Sequence, residues 1–301
     1  MKKSIIATSL LALGSAPAFA TDYTDGDTHK NDYKWMQGNI MYAFDELPGE
    51  SSHDYLELEF GGRAGILDYY GYVDFFNLTD SDSSDKSGQP KMFAKLAPRI
   101  SLDGLFNTDL SMGAVQELYI ASVYNVNGDS SVENISIGLG SDVMVPWLGK
   151  VGLNLYRYYD ITAKDWDGFQ ISTNWFKPVH FFENGSFISY QGYIDYNFAV
   201  DDSPSQLKST NGGAMFNGIY WHSDRFALGY GLKAYKEVYA LKDDGWAGKT
   251  SGVSHYVANE LTSSKATLTT ISLSTTKPFL YFEEGLFLAI AISSIAKNKL
   301  P

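Results

Sequence analysis

The chain has 301 residues, 44% hydrophobic and 15% aromatic, with 28 Gly, no Cys and a formal charge of −12. The excess of acid, 35 Asp and Glu against 23 Lys and Arg, leaves no cationic face for a phosphate backbone and excludes nucleic acid as a partner. Without cysteine there is no disulfide framework, no thiolate-held metal and no thiol nucleophile.

Residues 1–20 read as a secretory signal peptide. Lys2 and Lys3 precede an apolar run from Ser4 to Leu13, and Ala18-Phe19-Ala20 supplies a small-x-small cleavage site. The run is shorter than the about 20 residues a spanning helix needs. The rest of the chain is therefore expected outside the cytoplasm.

From Trp35 to Ala258 no stretch places apolar residues at helical spacing; alternation with period two recurs instead. Strands are predicted at 35–44, 54–63, 66–78, 91–102, 111–124, 134–142, 148–161, 167–177, 186–199, 214–222, 226–241 and 250–258. In the second, Leu56, Leu58 and Phe60 oppose Glu57, Glu59 and Arg63. In the seventh, Val151, Leu153 and Leu155 oppose Gly152, Asn154 and Tyr156. The ninth sets Ile188, Tyr190 and Ile194 against Ser189, Gln191, Tyr193 and Asp195, and the eleventh sets Phe226, Leu228 and Tyr230 against Gly229, Gly231 and Lys233. Such alternation also suits a soluble sandwich.

Three features favour a membrane barrel. The segments approach the nine to eleven residues of a tilted spanning strand. Aromatic residues gather at their ends, as in Trp35, Tyr42 with Phe44, Trp166, Trp175 with Phe176, and Tyr220 with Trp221. An exported chain with many strands and no spanning helix can satisfy its backbone in lipid only by closing. The expected fold is all-β, a transmembrane antiparallel barrel of about twelve strands, integral to a bacterial outer membrane and in contact with its lipid and lipopolysaccharide. With a periplasmic N-terminus, the outward connections are 45–53, 79–90, 125–133, 162–167, 201–213 and 242–249. They carry 14 of the 35 acidic residues, including Glu46, Asp80, Asp82, Asp85, Asp243 and Asp244, against five Lys.

Asp68-Tyr-Tyr-Gly-Tyr-Val-Asp74, Pro98-Arg-Ile-Ser-Leu-Asp103, Asn107-Thr-Asp-Leu-Ser-Met-Gly113 with Glu117-Leu-Tyr119, and Trp166-Asp-Gly-Phe169 resemble the nucleoside-specific channel-forming outer-membrane family of the Tsx type, most closely in its vibrio branch. The similarity runs through most of 35–258. It implies a monomeric twelve-stranded barrel whose narrow pore passes nucleosides and deoxynucleosides without a cofactor, and for the vibrio branch a surface used by bacteriophage. Family members close with a strand similar to Gly252–Ala258 and stop soon after at an aromatic residue. Here residues 259–301 follow, a tail that is either an authentic extension or a displaced reading frame. The domain reading is thus 1–20 signal peptide, 21–258 barrel and 259–301 a tail outside the wall that hinders closure.

The pore-facing phase is where solute binding is expected. A nucleoside offers a flat base for aromatic stacking and ribose hydroxyls that donate to carboxylates. The Tyr-Gly-Tyr-x-Asp match gives Tyr72 and Asp74, and Phe44, Glu57, Glu59, Tyr70 and Arg99 complete the expected lining. The plainer reading of Glu57, Glu59, Arg63, Lys95 and Arg99 is an ion-pair lattice across the lumen. No metal spacing links the five histidines, and Gly248-Lys249-Thr250 lacks the upstream glycine of a phosphate loop. No enzyme is expected; a Ser/His dyad assembled between strands would be the exception. The alternative function is a surface recognition barrel, with loops that adsorb phage and a lumen that transports no significant solute.

Overall fold

A computed structural model of the protein describes residues 21, 23–201 and 207–262, so the expected signal peptide and residues 263–301 lie outside the described residues. Twelve antiparallel strands form a closed barrel: β1 (Tyr33–Glu46), β2 (Ser51–Ala64), β3 (Leu67–Phe76), β4 (Met92–Ser101), β5 (Val115–Asn127), β6 (Glu133–Val145), β7 (Gly149–Asp160), β8 (Asp165–Phe181), β9 (Phe187–Phe198), β10 (Asn211–His222), β11 (Phe226–Lys236) and β12 (Gly252–Thr262). Each strand pairs with its neighbours in sequence, and β12 pairs with β1.

The connections differ at the two ends. At the end shared with residues 23–32 they are mostly short, with two residues, Gly65 and Ile66, joining β2 to β3. At the other end, 77–91 and 237–251 are long. Short periplasmic turns and longer outer loops are the habit of outer-membrane barrels, so β1 runs outward. Gly65 has φ +59° in its tight turn, and its N–H donates to Asp32 at 2.7 Å, which ties the N-terminal segment to the barrel base. The longest periplasmic connection holds the short helix α1 (Leu102–Phe106). Ser101 caps it by accepting from the Gly104 N–H at 3.0 Å, and Asp103 below accepts from Leu110 and Leu118.

The faces are sorted as a membrane requires. Apolar side chains lie open on the outside along Met36, Leu58, Ile137, Leu139, Leu153, Leu155, Ile219 and Leu232, with Leu139 66% exposed. Asn39, His53, Arg63, Asp74, Glu117 and Asp142 are buried within. That is the reverse of a soluble domain. The expected outward set of Leu56, Leu58, Phe60, Val151, Leu153 and Leu155 lies on this outer phase, as register with the neighbouring strands shows, with Val151 covered by Trp175 and only 8% exposed.

The closing strand departs from expectation. It continues four residues past Ala258, and Gln37–Ile40 of β1 pair with Asn259–Thr262. Residues 259–262 are wall, not tail. The polar pair Asn259-Glu260 reads as the end of an oily strand only if Glu260 faces lipid. In the barrel Tyr256, Ala258 and Glu260 share the lumenal phase, and Glu260 lies opposite Asn39 and Ala227.

Candidate lumenal binding site

The lumen is built in levels, each fixed by strand register. At the periplasmic end a cation–carboxylate network spans β2 to β7. Arg63 meets Glu117 at 2.9 Å and Arg99 meets Asp68 at 2.8 Å and Asp142 at 2.9 Å; Lys150 meets Asp142 at 3.0 Å. Tyr119 lies within it, donating to Asp142 at 3.1 Å with the Arg99 guanidinium 4.0 Å from its ring centroid. Tyr23 of the N-terminal segment inserts its hydroxyl beside Arg63 at 2.6 Å and is itself fully buried.

Midway along the pore, one wall carries the expected motif. Glu57 pairs with Asp74, Glu59 with Tyr72 and Arg63 with Asp68, which sets Asp68, Tyr70, Tyr72 and Asp74 on the lumenal phase of β3. Tyr70 and Tyr72 stand edge to face at 6.2 Å, and Tyr72 approaches Phe93 of β4 at 6.0 Å. Glu59 accepts from Tyr70 at 2.7 Å, from Gln37 at 2.6 Å and from Asn39 at 3.3 Å; Glu57 accepts from Asn39 at 2.7 Å.

A second aromatic wall stands on β9 and β10, where Tyr193 stacks on Phe216 with centroids 5.8 Å apart. Phe216 in turn meets Tyr256 of β12 edge-on at 5.8 Å. These rings lie close to the wall because the facing lumenal positions of β11 are glycine: a Cβ at Gly231 would fall 2.3 Å from the Phe216 ring, and one at Gly229 2.1 Å from Tyr220. The two walls are joined across the pore. Lys95, the register partner of Tyr72, meets Asp195, which shares a face with Tyr193, at 3.3 Å. Strands β4 and β9 are five apart in a ring of twelve, so this bond crosses the lumen.

At the outer mouth Glu46 gathers Lys233 at 3.4 Å, the Tyr256 hydroxyl at 2.8 Å and His53 at 3.3 Å. It belongs to the rim of the lumen rather than to a solvated loop.

The expected residues therefore fall into three groups. Tyr70, Tyr72, Asp74, Glu57 and Glu59 line one pore wall together. Arg99 faces the lumen but is held between two carboxylates and over a ring, the lattice role that the plainer reading gave it. Phe44 is a correction: it pairs with His255 on the outer phase and packs on Tyr42 at 4.6 Å, an interfacial aromatic pair outside the barrel. Its neighbour Ala43 takes the lumenal position.

The sequence reading did not single out Tyr193, Phe216, Asp195 or Glu260. Glycine at alternate lumenal positions of β11 is the one local signal for the flat rings. Ser189 and His222 do meet between strands, Oγ to Nε2 at 2.8 Å. Both are buried, His222 Nδ1 has no partner among the described residues, and Phe187 stacks on the imidazole at 4.4 Å. The pair is packed shut.

Comparison with known proteins follows the same lines. The family described as "Nucleoside-specific channel-forming protein, Tsx" matches residues 30–259. An outer membrane protein OmpK of Vibrio parahaemolyticus is 65% identical over 264 residues, covering 86% of this chain and 98% of that protein. The nucleoside-specific channel-forming protein Tsx of Klebsiella aerogenes is 28% identical over 229 residues, covering 70% and 77%, and that of Escherichia coli O157:H7 is 27% identical over 263 residues, covering 81% and 89%.

Proposed function

Since this chain belongs to the Tsx family of nucleoside-specific channel-forming proteins, a family of outer-membrane porins and not of enzymes, we propose that it is a passive channel with shallow binding sites for nucleosides and deoxynucleosides. The observation that carries this reading is the pair of aromatic walls facing each other across the pore, Tyr70-Tyr72-Phe93 on one side and Tyr193-Phe216 on the other. A base slides between ring faces, and the ribose hydroxyls find acceptors in Asp74, Glu57 and Glu59. Such contacts are few and individually weak. A pore needs that balance, because a solute held too firmly does not leave. The chain works as a monomer, with lipid on its outer face.

The experiment is single-channel recording in a planar bilayer with adenosine, thymidine and a sugar of similar size. Nucleosides lower the conductance reversibly at concentrations where the sugar does not. Equal effects of all three, or none, leave the alternative of a recognition barrel that transports no significant solute. A phage-binding role for the outer loops is compatible with transport and is supported by their order. Asp85 of 77–91 accepts from the Ser52 N–H at 2.8 Å, and Lys249 of 237–251 reaches Glu50 at 2.5 Å, so several loops form one continuous surface. Loop deletions that abolish phage adsorption and spare nucleoside block would separate the two roles.

A further inference from the structure

The charges of the lumen are sorted in a way that an uncharged solute does not require. Each Lys or Arg on the lumenal phase of a strand has its own carboxylate: Arg63 has Glu117, Lys95 has Asp195, Arg99 has Asp68 and Asp142, Lys150 has Asp142, and Lys233 has Glu46. Below the outer mouth, where Asp160 and Asp165 face each other, four further lumenal carboxylates, Glu57, Glu59, Asp74 and Glu260, form no ion pair among the described residues. Three of them share one row. Register runs Glu260 to Asn39 to Glu57 to Asp74 across β12, β1, β2 and β3, with Glu59 one lumenal step toward the periplasm.

Like charges directly opposite on neighbouring strands destabilise a sheet, and Glu57 stands directly opposite Asp74. The row also contains buried oxygens with nothing to accept. Asn39, 3% exposed, donates its Nδ2 to Glu57 and Glu59, and its Oδ1 has no donor among the described residues; Asp74, 8% exposed, leaves its Oδ1 unpartnered as well. A carbonyl and a carboxylate oxygen, both without donors, in a row of acid that no Lys or Arg neutralises offer a cation ready acceptors. Among the described residues no three acidic or imidazole groups converge as metal ligands do. The row is an arc along the wall, suited to a hydrated or organic monovalent cation in passage.

We propose that the row Glu260, Glu57 and Asp74, with Asn39 between and Glu59 below, is a site for monovalent cations and makes the channel select cations over anions. Rings of Asp and Glu act this way in cation pores. The inference does not depend on nucleoside binding, since the row would act in the absence of any nucleoside.

The test measures reversal potentials of the full-length protein in planar bilayers under a salt gradient without nucleoside, in potassium chloride and separately in methylammonium chloride. The parent is expected to show a cation-to-anion permeability ratio well above unity. Glu57→Gln with Asp74→Asn should bring it close to unity; Glu260→Gln should lower it too, and serves where the double variant does not insert. Heat-modifiable migration checks that each variant is folded. The outer-loop control, Asp82→Asn with Asp244→Asn, should leave the ratio unchanged near 1 M salt, where the screening length is about 3 Å. Potassium selectivity without methylammonium selectivity would restrict the site to inorganic ions. A parent that is unselective or prefers chloride, or a row variant with the parent's ratio, overturns the proposal. Loss of nucleoside block with selectivity intact would instead count against the nucleoside reading alone.

Discussion

Tyr72 and Phe44 are both aromatic residues of spanning strands, yet only one faces the pore. Tyr72 is fixed inward by Glu59 and Lys95 on its two flanks, each of which must avoid lipid. Phe44 has no such constraint. It lies near the outer end of β1, where an aromatic ring is equally at home in the membrane interface, so composition alone does not phase it. Register does: Phe44 pairs with His255, on the phase opposite to buried Asn39 and Ala43. Tyr72→Ala removes one face of the aromatic slot, and the loss should raise the half-blocking nucleoside concentration by up to about tenfold, the equivalent of about 0.5–1.5 kcal/mol for a stacked ring. Tyr72→Phe, which keeps the ring, should stay close to the parent. Conductance titrations with adenosine measure both, and a Tyr72→Ala channel blocked as readily as the parent takes Tyr72 out of the site.

At the scale of elements, the strands were legible because every lumenal residue alternates with one in lipid, and the two solvents differ so much that the pattern survives over ten residues. Contacts across the pore were not legible. Lys95 and Asp195 are joined only because five strands of stagger and tilt bring β4 opposite β9, and no local rule encodes that. This bond narrows the pore beside Tyr72. Lys95→Ala should therefore increase the single-channel conductance in the absence of nucleoside, and Asp195→Asn should do so less, because its amide keeps the volume of the carboxylate. A Lys95→Ala channel with the parent's conductance would show that the constriction lies elsewhere.

In the loop 237–251 one carboxylate fixes the returning backbone. Asp243 accepts from the backbone N–H of Thr250 at 2.7 Å and of Ser251 at 3.0 Å, and those bonds hold its carboxyl below the usual carboxylate range. The sign follows: the order that they confer is complete above the unperturbed carboxylate pKa of about 4 and is lost as pH falls through the lower native value. Intact cells should thus resist tryptic cleavage at Lys242 and Lys249 near neutral pH, and Asp243→Ala should expose both sites.

For the whole molecule, closure is the requirement that outranks the others. An open edge between β1 and β12 would leave a row of N–H and C=O groups in hydrocarbon, so the stability of the barrel rests on the weakest seam. At that seam the alternation rule succeeded and the boundary failed. The predicted strand 250–258 marks β12 correctly, whereas the change to Asn259-Glu260 conceals four more paired residues, because the lumen accepts a carboxylate where lipid would not. Those four residues pair with Gln37–Ile40 near the periplasmic half of β1. A chain ended after Ala258 would lose roughly four ladder bonds, about 2–6 kcal/mol in all at about 0.5–1.5 kcal/mol each. It would also strand the edge of β1 beside Asn39, the centre of the acidic row. A chain ended after Thr262 keeps the seam whole. Heat-modifiable folded protein in outer-membrane fractions should therefore be abundant for the second truncation and scarce for the first. Equal amounts of both would mean that the seam tolerates an open edge at its periplasmic end and that Asn259–Thr262 add nothing to closure.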